Sequence, residues 1–450
     1  MAWIKKTPCS PAAASQQLTI GGIIFTDEYI RELARNAGFT LRKSRKIDVC
    51  ALLASLCEQC FQGSPSCNDL AAHIEANYGA APSRQAINLR LNESFETLLQ
   101  WLLEKIIAEK VDGKGFATPA DVQFRGYRRV LVQDSTILKL PIHLFKDFSG
   151  VSNATSRVCN ARIQATYDLI NFRLLSFSID PYSKNDLAAA PELLLREGDL
   201  VLRDRGYLVL DELQRHRNTG ADCIYRHKTG TTYIDPQTLE LIDLPALLKR
   251  HGSLDIDVLL NNASRTRVRL VAAPVSEEMA NLRRMKAKKE ACGHNPSEAV
   301  LYLMSWTIFI TTIPADKADF KLILAIYGLR WRIEIIFKAW KSHMKFDLLH
   351  RVSKRQLAIL LKTRLLVIAA CANVLYNPLE SSLWRRYKRK LSFLKFTNYL
   401  CKSPANFIRA LRSLSATDEQ SCQLLDALAR YCCYDKRKRR NYSEIREDLA

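Results

Sequence analysis

Residues 327–341 read YGLRWRIEIIFKAWK. At about 100° per residue, Tyr327, Arg330, Glu334, Lys338 and Lys341 share an arc of roughly 80°. Leu329, Ile333, Ile336, Phe337 and Trp340 fall on the opposite side, so the spacing predicts one amphipathic helix over 327–341. Its polar face sets a single carboxylate among a phenol, a guanidinium and two ammoniums. Glu334 has two readings there. As structure, Arg330–Glu334 and Glu334–Lys338 are i,i+4 pairs, each contributing tenths of a kcal/mol on a solvated face. As chemistry, the acid holds a divalent cation while the surrounding donors hold a phosphodiester strand.

The spacing Tyr-x2-Arg-x3-Glu-x6-Lys resembles the signature of the cut-and-paste DDE transposases of the insertion-sequence-four family. Tyr327, Arg330, Glu334 and Lys341 match it at every position, and the flanking RWRIE and FKAWK look like that family too. The resemblance implies that Glu334 is the last acid of a catalytic triad whose other members are aspartates at strand ends. Gln133-Asp-Ser-Thr136 resembles the family's first acidic motif and Asp204-Arg-Gly-Tyr207 its second. Read alone, each aspartate is also an ordinary turn or cap residue. Taken with Glu334, the resemblance makes Asp134, Asp204 and Glu334 the catalytic and metal-binding residues, for two Mg²⁺ ions that Mn²⁺ can replace. Tyr327, Arg330, Lys338 and Lys341 would then hold DNA. It spans roughly residues 128–376.

These acids need elements to bring them together. Residues 129–133 form a short buried-strand pattern ending at Asp134. Runs at 161–167 and 172–179 follow, then a helix at 187–196, a strand at 199–203 ending at Asp204, and a helix at 208–217. That order predicts an α/β fold. A ribonuclease-H-like catalytic core is interrupted by a β-rich insertion, with a helical N-terminal DNA-binding region and a helical C-terminal region. The insertion shows strand patterns at 231–234, 256–260 and 268–273 and a Lys-rich helix at 277–290. At its entrance, Arg226 and Lys228 follow a strand. The resemblance puts an Arg at this place close to the active site, so both are assigned to DNA contact; solvated strand-end charge is the plainer alternative. At its exit, Trp306 opens a buried strand at 305–314. The resemblance implies that it stacks on a base flipped out during hairpin formation, and core packing is the alternative.

The N-terminal region reads as helical. Residues 69–77, a Gly/Ala/Pro connection and 83–90 resemble a helix-turn-helix, with Ser83 as cap. Arg84, Gln85 and Asn88 would reach base edges, unless this is an ordinary helical hairpin. Past Lys341, an apolar helix at 356–376 packs behind the catalytic one. Arg385, Arg386, Lys388, Lys390 and the basic run 436–440 either contact DNA backbone or solubilise the chain. The expected divisions are 1–115, 116–228, 229–300, 301–378 and 379–450.

Composition agrees with a DNA partner. The 450 residues are 48% hydrophobic and carry a net charge of +21, the mark of a globular protein that meets a polyanion. The longest apolar run, 365–376, is short of the roughly 20 residues a membrane span needs, and the first residues lack a signal-peptide pattern. The 13 cysteines suggest reduced thiols in a cytoplasmic, nucleoid-associated protein. Cys57-x2-Cys60, near Cys50, Cys67 and His73, is better read as core than as zinc ligands. The expected partners are double-stranded DNA, at the element's terminal inverted repeats and in the target, and a second copy of the chain in the DNA complex. A catalytically silent DNA-binding derivative and a ribonuclease-H-like repair or recombination nuclease are the alternatives.

Overall fold

A computed structural model describes residues 26–40, 47–61, 63–108, 126–150, 157–291, 294–342, 345, 349, 352–402, 405–413 and 419–434; the basic run 436–440 lies outside them. Nine strands form one mixed sheet. They are β1 (Arg129–Lys139), β2 (Asn160–Asp168), β3 (Arg173–Pro181), β4 (Asp199–Arg203), β5 (Asp222–Arg226), β6 (Tyr233–Ile234), β7 (Leu254–Leu260), β8 (Arg267–Pro274) and β9 (Trp306–Thr311). Their order is β3-β2-β1-β4-β5-β9-β8-β7-β6. β1 to β3 form an antiparallel meander, β4 and β5 run parallel to β1, and β9 turns back against β5.

Side chains alternate across this sheet, so each strand feeds two cores. Val130, Val132, Leu200, Leu202, Ile224 and Phe309 meet the helices of residues 320–376. Leu131, Val201, Cys223, Tyr225 and Ile308 face the other way, toward Tyr207 and Leu213. Both aspartates follow the parity of Val132 and Leu202 and so lie on the first face.

Three expectations are corrected. The strand expected at 129–133 continues to Lys139, because residues 134–139 pair with β2. Asp134 is therefore mid-strand; what ends near it is the parallel pairing with β4, last registered at Val132↔Leu202. The helix expected at 187–196 is only Asp186–Ala189. Pro191 follows, and a proline disfavours helical backbone just before it. The single helix expected at 327–341 is two, Phe320–Gly328 and Trp331–Ser342, with a break at Leu329 and Arg330. The strands of the insertion join the core sheet. β8 pairs with β9, and β7 and β6 extend the core sheet beyond it, which covers the edge that β9 would otherwise expose.

The N-terminal helices are Asp27–Asn36, Val49–Cys60, Cys67–Tyr78, Arg84–Arg90 and Glu93–Ala108. Ser66 and Asp69 form a capping box, Gly79 ends the third helix at φ 70°, and Ser83 Oγ accepts from Ala86 N–H to start the fourth. These helices share one buried cluster with the sheet face. Lys362 pairs with Glu96 at 2.8 Å across the junction. Cys57 and Cys60 are buried in that cluster, and both His73 ring nitrogens are engaged, by Ser55 and Glu58.

The helical stretch Lys354–Tyr387 is 34 residues, long and apolar enough to cross a membrane by length and composition. Its most apolar window is 89% buried inside the protein. Within it, the Asn373 side chain both accepts from Leu174 N–H at 2.8 Å and donates to Leu174 C=O at 2.9 Å, closing part of the β3 edge. This is a core helix. Beyond it, Arg386 lies 3.7 Å from Asp426, and the Lys388 and Lys390 ammoniums stand over the Trp384 ring.

Candidate active site

The break in the helix makes the site. Leu329 N–H donates to Ile326 C=O and Arg330 N–H to Tyr327 C=O, both at 3.0 Å, a tight i→i+3 turn. In such a turn residues three apart eclipse. The Arg330 guanidinium accordingly lies 5.8 Å from the Tyr327 ring centroid, and 5.5 Å from that of Trp331. The tight turn directs both polar groups back at the sheet, and Glu334 follows in the first turn of the next helix.

There they meet the aspartates. Arg330 Nη1 donates to Asp134 Oδ2 at 3.0 Å and its Nη2 to Glu334 Oε1 at 2.8 Å. Tyr327 Oη–H donates to Asp204 Oδ1 at 3.3 Å. The backbone N–H of Ser135 donates to Asp134 Oδ1 at 2.8 Å. Extending the β1–β4 register by two residues puts Asp204 beside Asp134.

Burial pushes the Asp134 carboxyl up to about 6, and the charges of Glu334 and Asp204 add to the rise, opposed by the Ser135 amide and Arg330. Burial and the Asp204 charge raise Tyr327 well above the ordinary phenol value. Burial works against the Arg330 charge, but the acids and Tyr327 outweigh it and raise that group. Among the described residues, no three His, Cys, Asp or Glu side chains form a ready-made metal cluster. A cationic guanidinium instead bridges two of the three acids. The donors are all hard carboxylate oxygens, and three carboxyls converge on one place, where the charges of Glu334 and Asp204 raise Asp134. That chemistry fits a divalent cation.

Below the acids runs a network that sequence reading missed. Arg203, 3% exposed, donates to Gln133 Oε1 and, at 2.7 Å, to Glu212. Gln133 donates in turn to Pro191 C=O. Gln133 and Arg203 immediately precede the two aspartates, and that equal offset was the available signal. On the same side, Ser135 Oγ–H donates to Asp186, which also accepts from Arg162.

Other expected site residues are placed unevenly. Arg226, last residue of β5, lies close enough to Tyr327 to affect its charge. Lys228 is exposed beyond it, Lys338 is exposed on the helix Trp331–Ser342, and Lys341 is half-buried. Trp306 follows the parity of Ile308, so its ring leaves the sheet on the face opposite the acids. It packs 6.2 Å from Tyr302, is 9% exposed, and its indole N–H is buried with no acceptor among the described residues. Trp306→Ala is expected to cost about 3–5 kcal/mol of stability, with nicking and hairpin closure falling together. Selective loss of hairpin closure, with the melting temperature unchanged, would instead mark a base-stacking residue.

Arg84 and Gln85 are exposed. With Asn88 and Leu89 they line a groove of about 880 Å³ whose far wall includes Val352 and Gln356. Asn88 is tied across it, accepting from Gln356 Nε2 at 3.2 Å.

Residues 125–370 match the family described as Transposase DDE domain. The transposase for insertion sequence element IS231F of Bacillus thuringiensis subsp. israelensis is 26% identical over 399 residues, 82% of each chain. That for IS231D of Bacillus thuringiensis subsp. finitimus is 27% identical over 396 residues, 82% of this chain and 81% of the other. That for IS1151 of Clostridium perfringens is 23% identical over 393 residues, 81% of each. Among solved structures, a piggyBac transposase synaptic complex with hairpin DNA aligns at a TM-score of 0.45 and 11% identity, covering 95% of this chain and 87% of that one.

Proposed function

The chain belongs to the Transposase DDE domain family, and from that premise we propose that it is a DNA transposase acting on its own insertion sequence. It binds the terminal inverted repeats, cuts the element free through a hairpin and joins it to target DNA. The observation that carries this reading is the meeting of Asp134, Asp204 and Glu334 around the Tyr327–Arg330 turn. The β3-β2-β1-β4-β5 half of the sheet, with two acids on neighbouring parallel strands and a third from a later helix, supports a ribonuclease-H-like core.

Bound Mg²⁺, or Mn²⁺ in its place, would supply Lewis-acid activation of the attacking water and of the leaving 3′ oxygen. Asp134, Asp204 and Glu334 would be its ligands. The Ser135 amide fixes one oxygen of Asp134, Tyr327 orients Asp204, and Arg330 sets Asp134 against Glu334. Lys338 and Lys341 lie further along the same helix, where they neutralise strand phosphates, and Arg226 does so beside Asp204. Water attack breaks the P–O3′ bond and leaves a 3′ hydroxyl and a 5′ phosphate. That hydroxyl next attacks a phosphodiester of the opposite strand, closing the hairpin as the P–O3′ bond to the flanking DNA breaks and the flank leaves with a 3′ hydroxyl. No side chain is joined to DNA, and much of the rate comes from holding the reactants in line. Both element ends must be cut in concert, so a homodimer on DNA is the working form.

The test is incubation of the purified protein with a duplex copied from the DNA bordering its gene, in Mg²⁺. Nicks at the element end, then hairpins and strand-transfer products, are expected. Nicks without any strand transfer would favour a repair nuclease, and end-specific binding without nicks a silent derivative.

Arg84→Ala and Gln85→Ala test end recognition. A lost bidentate base contact costs about 1–3 kcal/mol of discrimination, so binding to the ends should weaken more than binding to random duplex. Equal weakening on both would assign the two residues to backbone contact or to structure.

A further inference from the structure

From the inserted helix Glu277–Glu290, Arg283 reaches the start of β9 and Arg284 reaches Ser305, the residue before it. Arg284 is met by the Glu277 carboxylate at 2.7 Å. Arg283 is held only by neutral oxygens: its Nη1 donates to Trp306 C=O at 2.8 Å and its Nη2 to Thr307 Oγ1 at 3.2 Å. Among the described residues, neither Arg283 nor Arg226 has a carboxylate partner.

Strand register brings these two guanidiniums to the catalytic face. Arg203 pairs with Tyr225, so one residue further Asp204 stands beside Arg226. Arg226 pairs in turn with Phe309 of β9, whose ring lies 4.8 Å from that of Tyr327. Thr307, which Arg283 holds, is two residues from Phe309 and shares its face. Continuing these registers, Asp134 of β1, Asp204 just past the end of β4, Arg226 at the end of β5 and Phe309 of β9 fall on one line, and Arg283 reaches the same face from the insertion. Burial, together with the Arg226 charge, pushes Arg283 below its ordinary value. With no carboxylate at ion-pair distance from either guanidinium among the described residues, a bound anion would answer their shared charge.

We propose that Arg226 and Arg283 together clamp a single phosphate of the bound DNA strand, the one adjacent to the phosphate at Asp134 and Asp204. The clamp rests on the transposase reading for the identity of the strand. A planar guanidinium fork matches the tetrahedral oxygens of a phosphodiester, and two forks on one phosphate fix its orientation as well as its charge. Adjacent strands are about 4.8 Å apart, so Arg226 is one step from Asp204 and Arg283 lies just beyond it. The insertion thereby delivers a strand-positioning residue to the catalytic face.

The test is the salt dependence of binding to the duplex that borders the gene, measured without divalent cation for wild type, Arg283→Gln, Arg226→Gln and the double variant. Each phosphate neutralised contributes about 0.9 to the slope of log affinity against log salt. Each single variant should reduce the slope by up to about one, and Arg283→Lys should restore much of it, since it keeps the charge. The double variant should also lose only about one, because a single phosphate is at stake. A loss near two would mean separate phosphates and would overturn the clamp. An unchanged slope with a lower melting temperature would overturn it too, leaving Arg283 as a strap on β9. Wild-type nicking of the same duplex in Mg²⁺ is scored separately. If that fails while the slopes behave as expected, the transposase reading falls and the phosphate clamp stands.

Discussion

Asp134→Asn, Asp204→Asn and Glu334→Gln are each expected to abolish cleavage in Mg²⁺ and Mn²⁺ while leaving binding to the element ends intact. Each removes an anionic ligand but keeps the side chain's shape. For Asp134 the expectation goes further, because its carboxyl is pushed up to about 6 from an ordinary value near 3.8. An acid whose folded value is raised binds its proton more tightly when folded. Its ionisation therefore costs stability, and the cost grows as pH rises from about 4 to about 6 and persists above that. At pH 7 and without divalent cation, Asp134→Asn should melt no lower than wild type, and the two curves should converge toward pH 4. Inactivity joined to undiminished stability is the signature of a group kept for chemistry rather than for packing. Near-normal cleavage by any one of the three variants would remove that residue from the triad, and a large drop in melting temperature for Asp134→Asn would contradict the raised carboxyl.

Arg330→Met should have the next largest effect. The Arg330 side chain is 8% exposed, bridges Asp134 and Glu334, and has no substitute among the groups it touches. Without it, Asp134 keeps its burial and its two acidic neighbours but loses its counter-charge. Loss of a charged hydrogen-bond partner at a buried site costs about 1–3 kcal/mol. Glu334 is 37% exposed, so solvent screens most of its share. A divalent cation supplies the same positive charge, so Mn²⁺ should raise the melting temperature of Arg330→Met more than that of wild type. Cleavage should still fall by about 10²-fold, the usual cost of misplacing reacting groups by an ångström. An identical Mn²⁺ response in the two proteins would mean that guanidinium and cation do not share a place. The two terminal nitrogens of Arg330 face the acids, while its Nε is buried with no acceptor among the described residues.

Several features were legible in the sequence because local forces set them. The helix Glu277–Glu290 begins where Ser276 caps it, and its side chain accepts from Met279 N–H. The strand Asp199–Arg203 is a run buried at all five positions and bounded by turn residues. The apolar side of 327–341, from Leu329 through Ile333, Ile336, Phe337 and Trp340, is buried as its spacing predicts. Periodicity, caps and breakers act over a few residues, so they can be read from a few residues. The Tyr-Arg-Glu-Lys spacing likewise pointed to the family by itself, because a fixed spacing along the chain is legible whether or not one helix carries it.

What tertiary structure alone decided is every relation between elements. β1 runs through Asp134 because β2 pairs with it, and β2 lies outside any local window. Trp306 and Phe309, three residues apart on one strand, must leave opposite faces, but only packing decides that the face of Phe309 is the one that meets Tyr327. The insertion extends the core sheet because the free side of β9 needs a partner, and that pairing is what carries Arg283 to Arg226. Gly328 and the turn at Leu329–Arg330 interrupt a pattern that is helical on either side. The gain that offsets this interruption comes from Asp134 and Asp204, on strands far away in the chain. Register, pairing and charge contacts between distant segments are set by packing the whole chain at once, and no local pattern encodes them.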